Sequence, residues 1–190
     1  MTHRDKYDYS KTSYFNQRSK INYSCVKHGE IKQTANAHLA GKGCHNCNHS
    51  KGEEEIQAYF IYKKIKYERE VYSKKIFDNS LFLVDFEKTK YDFLLKKQKL
   101  FVEYDGEQHF KIVKYFGGEK GLEQTKIRDK VKNELVKQSK YQLIRIPYWE
   151  LDNIKYILDK LFENKKLNQD ILDKYTYENN LTEYKKRKES

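Results

Sequence analysis

Several residue types are scarce in this chain of 190 residues, which contains one proline, one methionine, one tryptophan and three cysteines. The cysteines are odd in number and two of them lie two residues apart, so a metal site fits them better than a disulfide framework. No apolar run approaches the roughly 18 residues that a membrane span needs, and no apolar signal-peptide core follows Met1. We therefore expect no membrane partner and an intracellular location, in the cytoplasm or nucleoid or in an infected host cell.

Positive charge and tyrosine are abundant instead. The 39 lysines and arginines outnumber the 28 aspartates and glutamates, and the resulting net charge of +11 favours a polyanionic partner, nucleic acid first. A mean hydropathy of −1.04 is typical of a disordered chain. However, 17 tyrosines and 10 phenylalanines supply enough large rings to bury, so we expect a folded chain of at most two small domains.

The hydrophobic pattern predicts an α+β protein in three parts. Residues 1–50 alternate short tyrosine- and isoleucine-containing runs with polar turns, which is typical of a small β-rich module. Residues 51–164 form a second domain, with a mixed sheet flanked by helices, whose elements are predicted at 50–65 (helix), 67–71 (strand), 91–95 and 100–104 (hairpin), 119–139 (helix), 142–148 (strand) and 150–162 (helix). Residues 165–190 end in Lys185-Lys186-Arg187-Lys188, and we expect this basic tail to fray into solvent.

The first fifty residues contain two ligand pairs with zinc-knuckle spacing, Cys25-Val26-Lys27-His28 and Cys44-His45-Asn46-Cys47. Three thiolates and one imidazole make a closed tetrahedral shell, so Cys25, His28, Cys44 and Cys47 are predicted to hold a structural Zn²⁺. The alternative to a metal site is a set of scattered buried thiols. Other histidines could replace His28, although such residues are more often exposed in helices or loops: His38, His45 and His49.

A group of acids follows two apolar runs in the second domain. Period-two alternation puts Glu103 and Asp105 on one face of a buried strand, and Asp92 lies inside the equally apolar run of the adjoining strand. Carboxylates are rarely buried there unless they bind a cation or share a proton. Gly106 permits a sharp break, so His109 can return toward the acids. This combination indicates a hard-metal site for magnesium-assisted phosphodiester hydrolysis.

The same residues carry a family resemblance. The pattern Asp92, Glu103, Asp105, Gly106, Gln108, His109 and Phe110 resembles the PD-(D/E)XK nuclease superfamily, and within it the branch of very-short-patch-repair endonucleases and phage EDxHD homing endonucleases. Further similarity lies at 50–53, 116–118, 128–130 and 143–149, so it covers about residues 50–162. Residues 7–11 and the two knuckles are similar to the zinc module that often precedes such domains in phage and large-virus proteins.

The resemblance implies a restriction-endonuclease-like core and a role for each matching residue. Asp92 and Glu103 would bind Mg²⁺, Asp105 would share the metal or its water, and His109 would act in proton transfer. Glu53 would be a supporting acid from the first helix. It lies on the stripe of Ile56 and Phe60 and should face inward, but a first-turn glutamate that stabilises the helix dipole is the alternative.

Three further residues are possible supporting residues: Gln108, Arg128 and Asp129. Asp129 projects opposite the apolar stripe of its predicted helix, so a solvent-facing salt bridge is the alternative for it. The stripe consists of Ile127, Val131 and Leu135.

One departure from the superfamily concerns the residue two positions after the metal-binding glutamate. This residue is usually a lysine that orients the attacking water, and here it is Asp105. Proton transfer would then depend on His109 or a metal-bound hydroxide, and Lys111 could substitute only if the chain folded back.

We therefore expect a magnesium-dependent endonuclease that acts on double-stranded DNA, of the homing or phage and viral site-specific type, as a monomer or a homodimer. The alternatives are a mismatch-repair-type nickase and a zinc-containing nucleic-acid-binding protein with an inactive nuclease core.

Overall fold

The computed structural model describes residues 4–26, 28–44, 50–77, 89–163 and 166–189. The chain divides into two compact units, Met1–Ser50 and Lys51–Ser190. The architecture is mixed α+β, as the hydrophobic pattern predicts, with a three-stranded sheet in the first unit and a four-stranded sheet in the second. In the part of the chain described here, no helix is long and apolar enough to cross a membrane.

The first unit is a small antiparallel sheet with one short helix. The strands β1 (Tyr7–Asp8), β2 (Lys20–Cys25) and β3 (Gly29–Thr34) pair in that order, and helix α1 (Ala35–Leu39) follows at once. Alternate residues of β2 point into the core, as period two requires. This core is small and contains two cysteines: Tyr7, Ile21, Tyr23, Cys25, Ala35 and Cys44.

The second unit is built on a sheet of strand order β4-β5-β6-β7. Its elements are α2 (Lys51–Tyr62), β4 (Glu68–Tyr72), β5 (Lys90–Leu95), β6 (Leu100–Asp105), α3 (Gly118–Lys137), β7 (Gln142–Pro147), α4 (Ile154–Leu161), α5 (Gln169–Lys174) and α6 (Tyr177–Glu189). The predicted hairpin is confirmed, because β5 and β6 pair antiparallel across the turn at 96–99. Strands β6 and β7 are parallel, since helix α3 carries the chain from one to the other.

Apolar residues on the two faces of this sheet form separate clusters. On one face Leu100 and Val102 of β6 pack with residues of α2, α4 and α5. On the other face Phe101 packs with Val136 of α3. Because successive residues of β6 point to opposite faces, Glu103 and Asp105 lie on the α3 side with Phe101.

Helix α2 lies directly against β6. Its buried residues Ile56, Tyr59 and Phe60 follow helical spacing. A Cβ atom at Gly52 would lie 2.0 Å from the ring of Tyr104, so this position must be glycine for the helix to approach the strand. The contact holds the first turn of α2, with Glu53, beside the end of β6.

Two predicted elements differ from the observed ones. The helix expected at 150–162 begins as a 3-10 helix, Tyr148–Asn153, and becomes α-helical only at Ile154. The prediction that residues 165–190 fray is wrong, because α5 and α6 are formed and pack on the unit. Four residues of this segment are buried, and one of them is polar: Leu172, Tyr175, Tyr177 and Asn180. The charged end of the tail, residues 185–189, is exposed throughout.

Candidate functional site

Asp92 and Glu103 lie where the pairing of β5 and β6 ends. The last backbone pair of the ladder is Phe93 with Val102. Beyond it the Asp92 N–H donates to Glu103 Oε1 at 3.0 Å, and the Tyr104 N–H donates to Asp92 Oδ2 at 2.9 Å. Each carboxylate therefore accepts a backbone N–H that would donate to a backbone carbonyl in a continuous ladder. The two side chains meet between the strands.

The charges around this pair are unbalanced. Burial, and then the neighbouring Glu103, raise the pKa of Asp92 well above its usual value, and Glu53 raises it further. Glu103 is only 2% exposed. The ammonium of Lys132 on α3 donates to Glu103 Oε2 at 2.7 Å, and it opposes the increase in the pKa of Asp92. Two acids beside one lysine offer the oxygen ligands and the negative charge that a divalent hard cation prefers.

The first turn of α2 places Glu53 near enough to raise the pKa of Asp92. However, among the described residues Asp92, Glu103 and Glu53 do not offer three ligand atoms within 4.8 Å of one another. The Glu53 carboxylate is largely buried and accepts a hydrogen bond from Arg69 Nη2 on β4 at 2.9 Å. The side chain thus faces inward, as its position on the stripe of Ile56 predicts.

Asp105 has a different environment from the one expected for a third magnesium ligand. Its carboxylate is fully buried and is bound by Arg145 of β7, from Nε at 2.8 Å and from Nη2 at 2.6 Å. Among the described residues, Asp92, Glu103 and Asp105 do not offer three oxygens within 4.8 Å of one another. The structure therefore separates Asp105 from the predicted set and gives it an arginine as its partner.

His109 and Asp129 form a second charged group next to Asp105. Gly106 extends the chain beyond β6, and the 3-10 helix Glu107–His109 brings the imidazole back. His109 Nδ1 lies 2.7 Å from Asp129 Oδ2, and Arg145 Nη2 donates to Asp129 Oδ1 at 2.7 Å. Asp105, His109 and Asp129 also have ligand-type atoms within 4.8 Å of one another and could hold a metal ion. The Arg145 guanidinium offsets one of the two carboxylate charges.

Asp129 therefore does not form the solvent-facing salt bridge that was the alternative predicted for it. It is 1% exposed, whereas Ile127 is 48% exposed. Helix α3 buries a polar face instead, which includes Thr125, Asp129, Lys132 and Asn133. Burial alone would raise the pKa of Asp129, but Arg145 and the hydrogen bond with His109 together hold it below its usual range.

A pocket of about 340 Å³ opens beside His109. His109 is 14% exposed, and Asp129 engages its Nδ1 atom. The predicted supporting residues Gln108 and Arg128 also line this pocket, and the exposed Arg128 donates to Thr125 at 3.0 Å. The other lining residues are Thr89, Lys90, Phe116, Thr125, Asp129 and Lys132.

Two residues that sequence reasoning missed hold this site together, Lys132 and Arg145. Arg145 is the single charged residue in the strand Gln142–Pro147, and a cation in an otherwise apolar strand indicates a buried acidic partner. Lys132 lies three residues after Asp129, so one face of a helix presents both. These signals were available in the sequence, although they do not identify the partners.

The first unit brings three of the four predicted zinc ligands together. His28 Nδ1 lies 3.6 Å from Cys25 Sγ and 3.4 Å from Cys44 Sγ. Ligands of a tetrahedral zinc ion, at about 2.3 Å for sulfur and about 2.0–2.1 Å for nitrogen, are roughly 3.5 Å apart, so these three residues fit the metal. Cys47, like His45 and His49, lies outside the described residues.

His38 is not part of this ligand group. It was expected to be exposed, yet it is 5% exposed, and its Nε2 atom lies 2.7 Å from the Tyr9 hydroxyl. Its ring packs against Tyr7 and Tyr23. The hydroxyl of Tyr7 also accepts a hydrogen bond from the Cys44 N–H at 2.6 Å, so the tyrosine cluster supports the cysteine backbone.

Comparison with known proteins gives similarity at the N-terminal end. A family model described as "Protein of unknown function (DUF723)" matches residues 1–48. The uncharacterized protein R892 of Acanthamoeba polyphaga mimivirus is 39% identical over 54 residues, which make up 28% of this chain and 20% of the mimivirus protein. This chain thus spans about a fifth of the length of that relative. No solved structure matches the chain.

Proposed function

We propose that this protein is a magnesium-dependent DNA endonuclease of the PD-(D/E)XK type, which hydrolyses phosphodiester bonds as a homing-type or phage and viral site-specific enzyme. The observation that carries the proposal is the pair of Asp92 and Glu103, which meet between two strands beside Lys132. Carboxylates so placed, with the pKa of Asp92 raised, are typical of sites that bind a cation.

Asp92 and Glu103 would hold the Mg²⁺, with Glu53 as the nearby supporting acid. When bound, the ion supplies Lewis-acid stabilisation of the negative charge that develops on the phosphate. Asp105 is left out of this set, because Arg145 engages both of its oxygens.

Lys132 would supply the positive charge that a lysine usually provides in the superfamily at the position of Asp105. Its ammonium is only 11% exposed and lies 2.7 Å from Glu103 Oε2, while the same residue lines the pocket beside His109. A lysine held between the acidic pair and the pocket can orient a water molecule and attract a phosphate oxygen.

His109 would transfer the proton. Asp129 holds Nδ1 and fixes the direction of the ring, so that Nε2 can exchange a proton with a substrate oxygen. Arg145 in turn keeps Asp129 ionised and in place. The chain thus provides an acid-base residue whose orientation depends on two buried partners.

The first unit would contribute a structural Zn²⁺ site and DNA contacts. The three described ligands have zinc-like separations, and a core this small gains much of its folding free energy from a metal. The net charge of +11 supports a polyanionic partner.

Cleavage of supercoiled plasmid DNA tests the proposal. The full chain should convert the plasmid to nicked or linear product with Mg²⁺ present, and should not do so when Mg²⁺ is omitted. Magnesium is omitted and not chelated, because a chelator would also remove zinc. Asp92→Asn should abolish cleavage and leave DNA binding intact or tighter, whereas Asp152→Asn, at an exposed position of the 3-10 helix Tyr148–Asn153, should cut like the wild type. Equal cleavage by Asp92→Asn and the wild type would remove these residues from the chemistry.

A further inference from the structure

Glu70 has an unusual backbone conformation for a residue inside a strand. Its φ is 47°, in the left-handed region that disfavours residues with a Cβ atom. Two other non-glycine residues among those described have positive φ, Lys64 and Lys99, and both lie in turns. Glu70 instead lies in the middle of β4. Such strain persists where the surrounding structure imposes it, and it is concentrated at functional sites.

Strand β4 changes face at Glu70. Arg69, just before it, lies on the α2 side of the sheet, where its guanidinium donates to Glu53 at 2.9 Å and its Cζ atom lies 5.0 Å from the centre of the Phe93 ring. Val71, just after it, packs in the cluster on the α3 side. Residues two apart in a regular strand point to the same face. The left-handed residue therefore reverses the face that β4 presents.

Strand β5 changes face at the opposite position. Tyr91 packs in the cluster on the α3 side, whereas Phe93 packs in the cluster on the α2 side. The register pairs the two residues that flank Glu70 with the two that flank Asp92, so these two residues lie opposite each other. The two strands therefore reverse faces together, with Glu70 against Asp92.

This reversal directs the Asp92 side chain toward β6. In a regular strand Asp92 would point to the face opposite to that of both its neighbours. Because its neighbours point to opposite faces, its carboxylate lies between the strands instead and accepts the Tyr104 N–H at 2.9 Å. In the same place the Asp92 N–H donates to Glu103 at 3.0 Å. The acidic pair thus depends on the reversal.

We propose that the left-handed conformation of Glu70 positions Asp92 for the metal site. Glu70 acts through its backbone, as a positioning residue, and its carboxylate, which is exposed and lies 3.5 Å from the Lys90 ammonium, is not required. This inference rests on the proposed nuclease function, because it names what aligns the acidic pair of that site. Glycine at position 70 should preserve the alignment, and a β-branched residue, which avoids the left-handed region, should lose it.

Hydrogen exchange of the full chain, followed by NMR in magnesium-free buffer, reports the alignment without any cleavage. The Tyr104 N–H is the probe, because the Asp92 carboxylate accepts it. Glu70→Val should speed its exchange by roughly 3- to 10-fold, which corresponds to the loss of one hydrogen bond. Glu70→Gly and Glu70→Ala should exchange like the wild type, because glycine favours the conformation and alanine tolerates it as well as glutamate does.

The magnesium requirement of single-turnover cleavage is the second readout. Misplacing a residue that orients a metal ligand typically costs 10- to 100-fold in metal affinity, so Glu70→Val should need roughly that much more Mg²⁺ for its half-maximal rate. Glu70→Gly and Glu70→Ala should keep the wild-type requirement. Glu68→Val is the matched control, because Glu68 is exposed on the same strand and lacks the positive φ. A merely structural role of Glu70 would lower the Tm of Glu70→Val and leave its magnesium requirement unchanged.

Thermal melts of two further variants test the strain itself and need no folded Glu70→Val protein. Glu70→Gly should melt about 2–6 °C above Glu70→Ala, because both lack the carboxylate and glycine alone has no Cβ atom to clash. A Tm for Glu70→Gly no higher than that of Glu70→Ala would overturn the proposal.

Two other results would also overturn it. One is a folded Glu70→Val protein with Tyr104 exchange within about twofold of the wild type. The other is faster exchange in Glu70→Gly and Glu70→Ala as well, since the carboxylate would then be the determinant. If the wild type cleaves DNA in either case, the nuclease proposal stands and the positioning role alone fails. If the wild type never cleaves but Glu70→Val alone speeds the exchange, the positioning of Asp92 stands and hydrolysis fails.

Discussion

Arg145→Met should destabilise the second unit strongly, because it removes the shared partner of two buried acids. The guanidinium is fully buried and makes three hydrogen bonds to Asp105 and Asp129, at 2.6–2.8 Å. Removal of one partner from a buried ion pair typically costs about 3–5 kcal/mol, since the remaining charges stay buried without compensation. For a unit of this size the loss corresponds to a decrease in Tm of about 10–20 °C.

The pH dependence of this loss gives a second observable. In the wild type the pKa of Asp129 is lowered below its ordinary value of 3.8, so its stabilising contribution is present above pH 3.8 and is lost as the pH falls through the folded-state pKa. In Arg145→Met, Asp129 loses the cation that lowers its pKa, so its protonation at low pH relieves part of the loss. The difference in Tm between variant and wild type should therefore be larger at pH 7 than at pH 4.

Thermal melts followed by circular dichroism measure both effects. Arg187→Met is the matched control, because Arg187 forms an exposed pair with Glu183 and such pairs contribute about 0–1 kcal/mol. Arg145→Lys keeps the charge without the planar fork, so its Tm should lie between those of the wild type and Arg145→Met. A decrease in Tm of under about 3 °C for Arg145→Met, similar to the control, would refute the role assigned to this network.

Three other predictions concern the metal site, the histidine and the acidic pair. Protein prepared without chelator should contain one zinc per chain by elemental analysis, and Cys25→Ser should lower this ratio; a ratio near zero with a folded first unit would contradict the zinc site. His109→Ala should slow single-turnover cleavage by about 10²- to 10⁴-fold, whereas a loss under about threefold in a stable variant would leave His109 a structural residue. The folded-state pKa of Asp92 is raised above 3.8. The protonated side chain therefore stabilises the magnesium-free protein below pH 3.8, and this contribution is lost as the pH rises through the folded-state pKa. In urea titrations at several pH values, Asp92→Asn should flatten the pH dependence of the free energy of unfolding.

The elements of the second unit were predictable where one periodicity dominates. The apolar runs before and after residues 96–99 predict a hairpin, and β5 and β6 form it. Helix α2 was predictable for the same reason, because Ile56 and Phe60 recur on one face. The return of His109 after Gly106 was also predicted, although Gly106 has an extended conformation, with φ of −65° and ψ of 173°, that other residues can adopt.

The polar network was not predictable, since its members are far apart in sequence and each has ordinary exposed alternatives. Asp129, 16 residues from Arg145, looks like a surface residue of α3 until β7 supplies the guanidinium. The apolar stripe on α3 predicted the wrong buried face, because this helix buries polar residues over the site and leaves Ile127 exposed. The C-terminal helices were missed because Asn180, a polar residue, is one of their anchors, donating to the Arg145 carbonyl at 2.8 Å.

The rate of single-turnover cleavage by Glu103→Gln tests the central claim most directly. The wild type and the variant are compared on one labelled linear duplex with saturating protein and Mg²⁺, and DNA affinity is measured in parallel. Glu107→Gln is the control, because Glu107 is exposed and pairs only with Lys111 among the described residues. The account predicts that Glu103→Gln loses at least about 10²-fold in rate at undiminished affinity, while Glu107→Gln cuts like the wild type. Equal rates for Glu103→Gln and the wild type would contradict it.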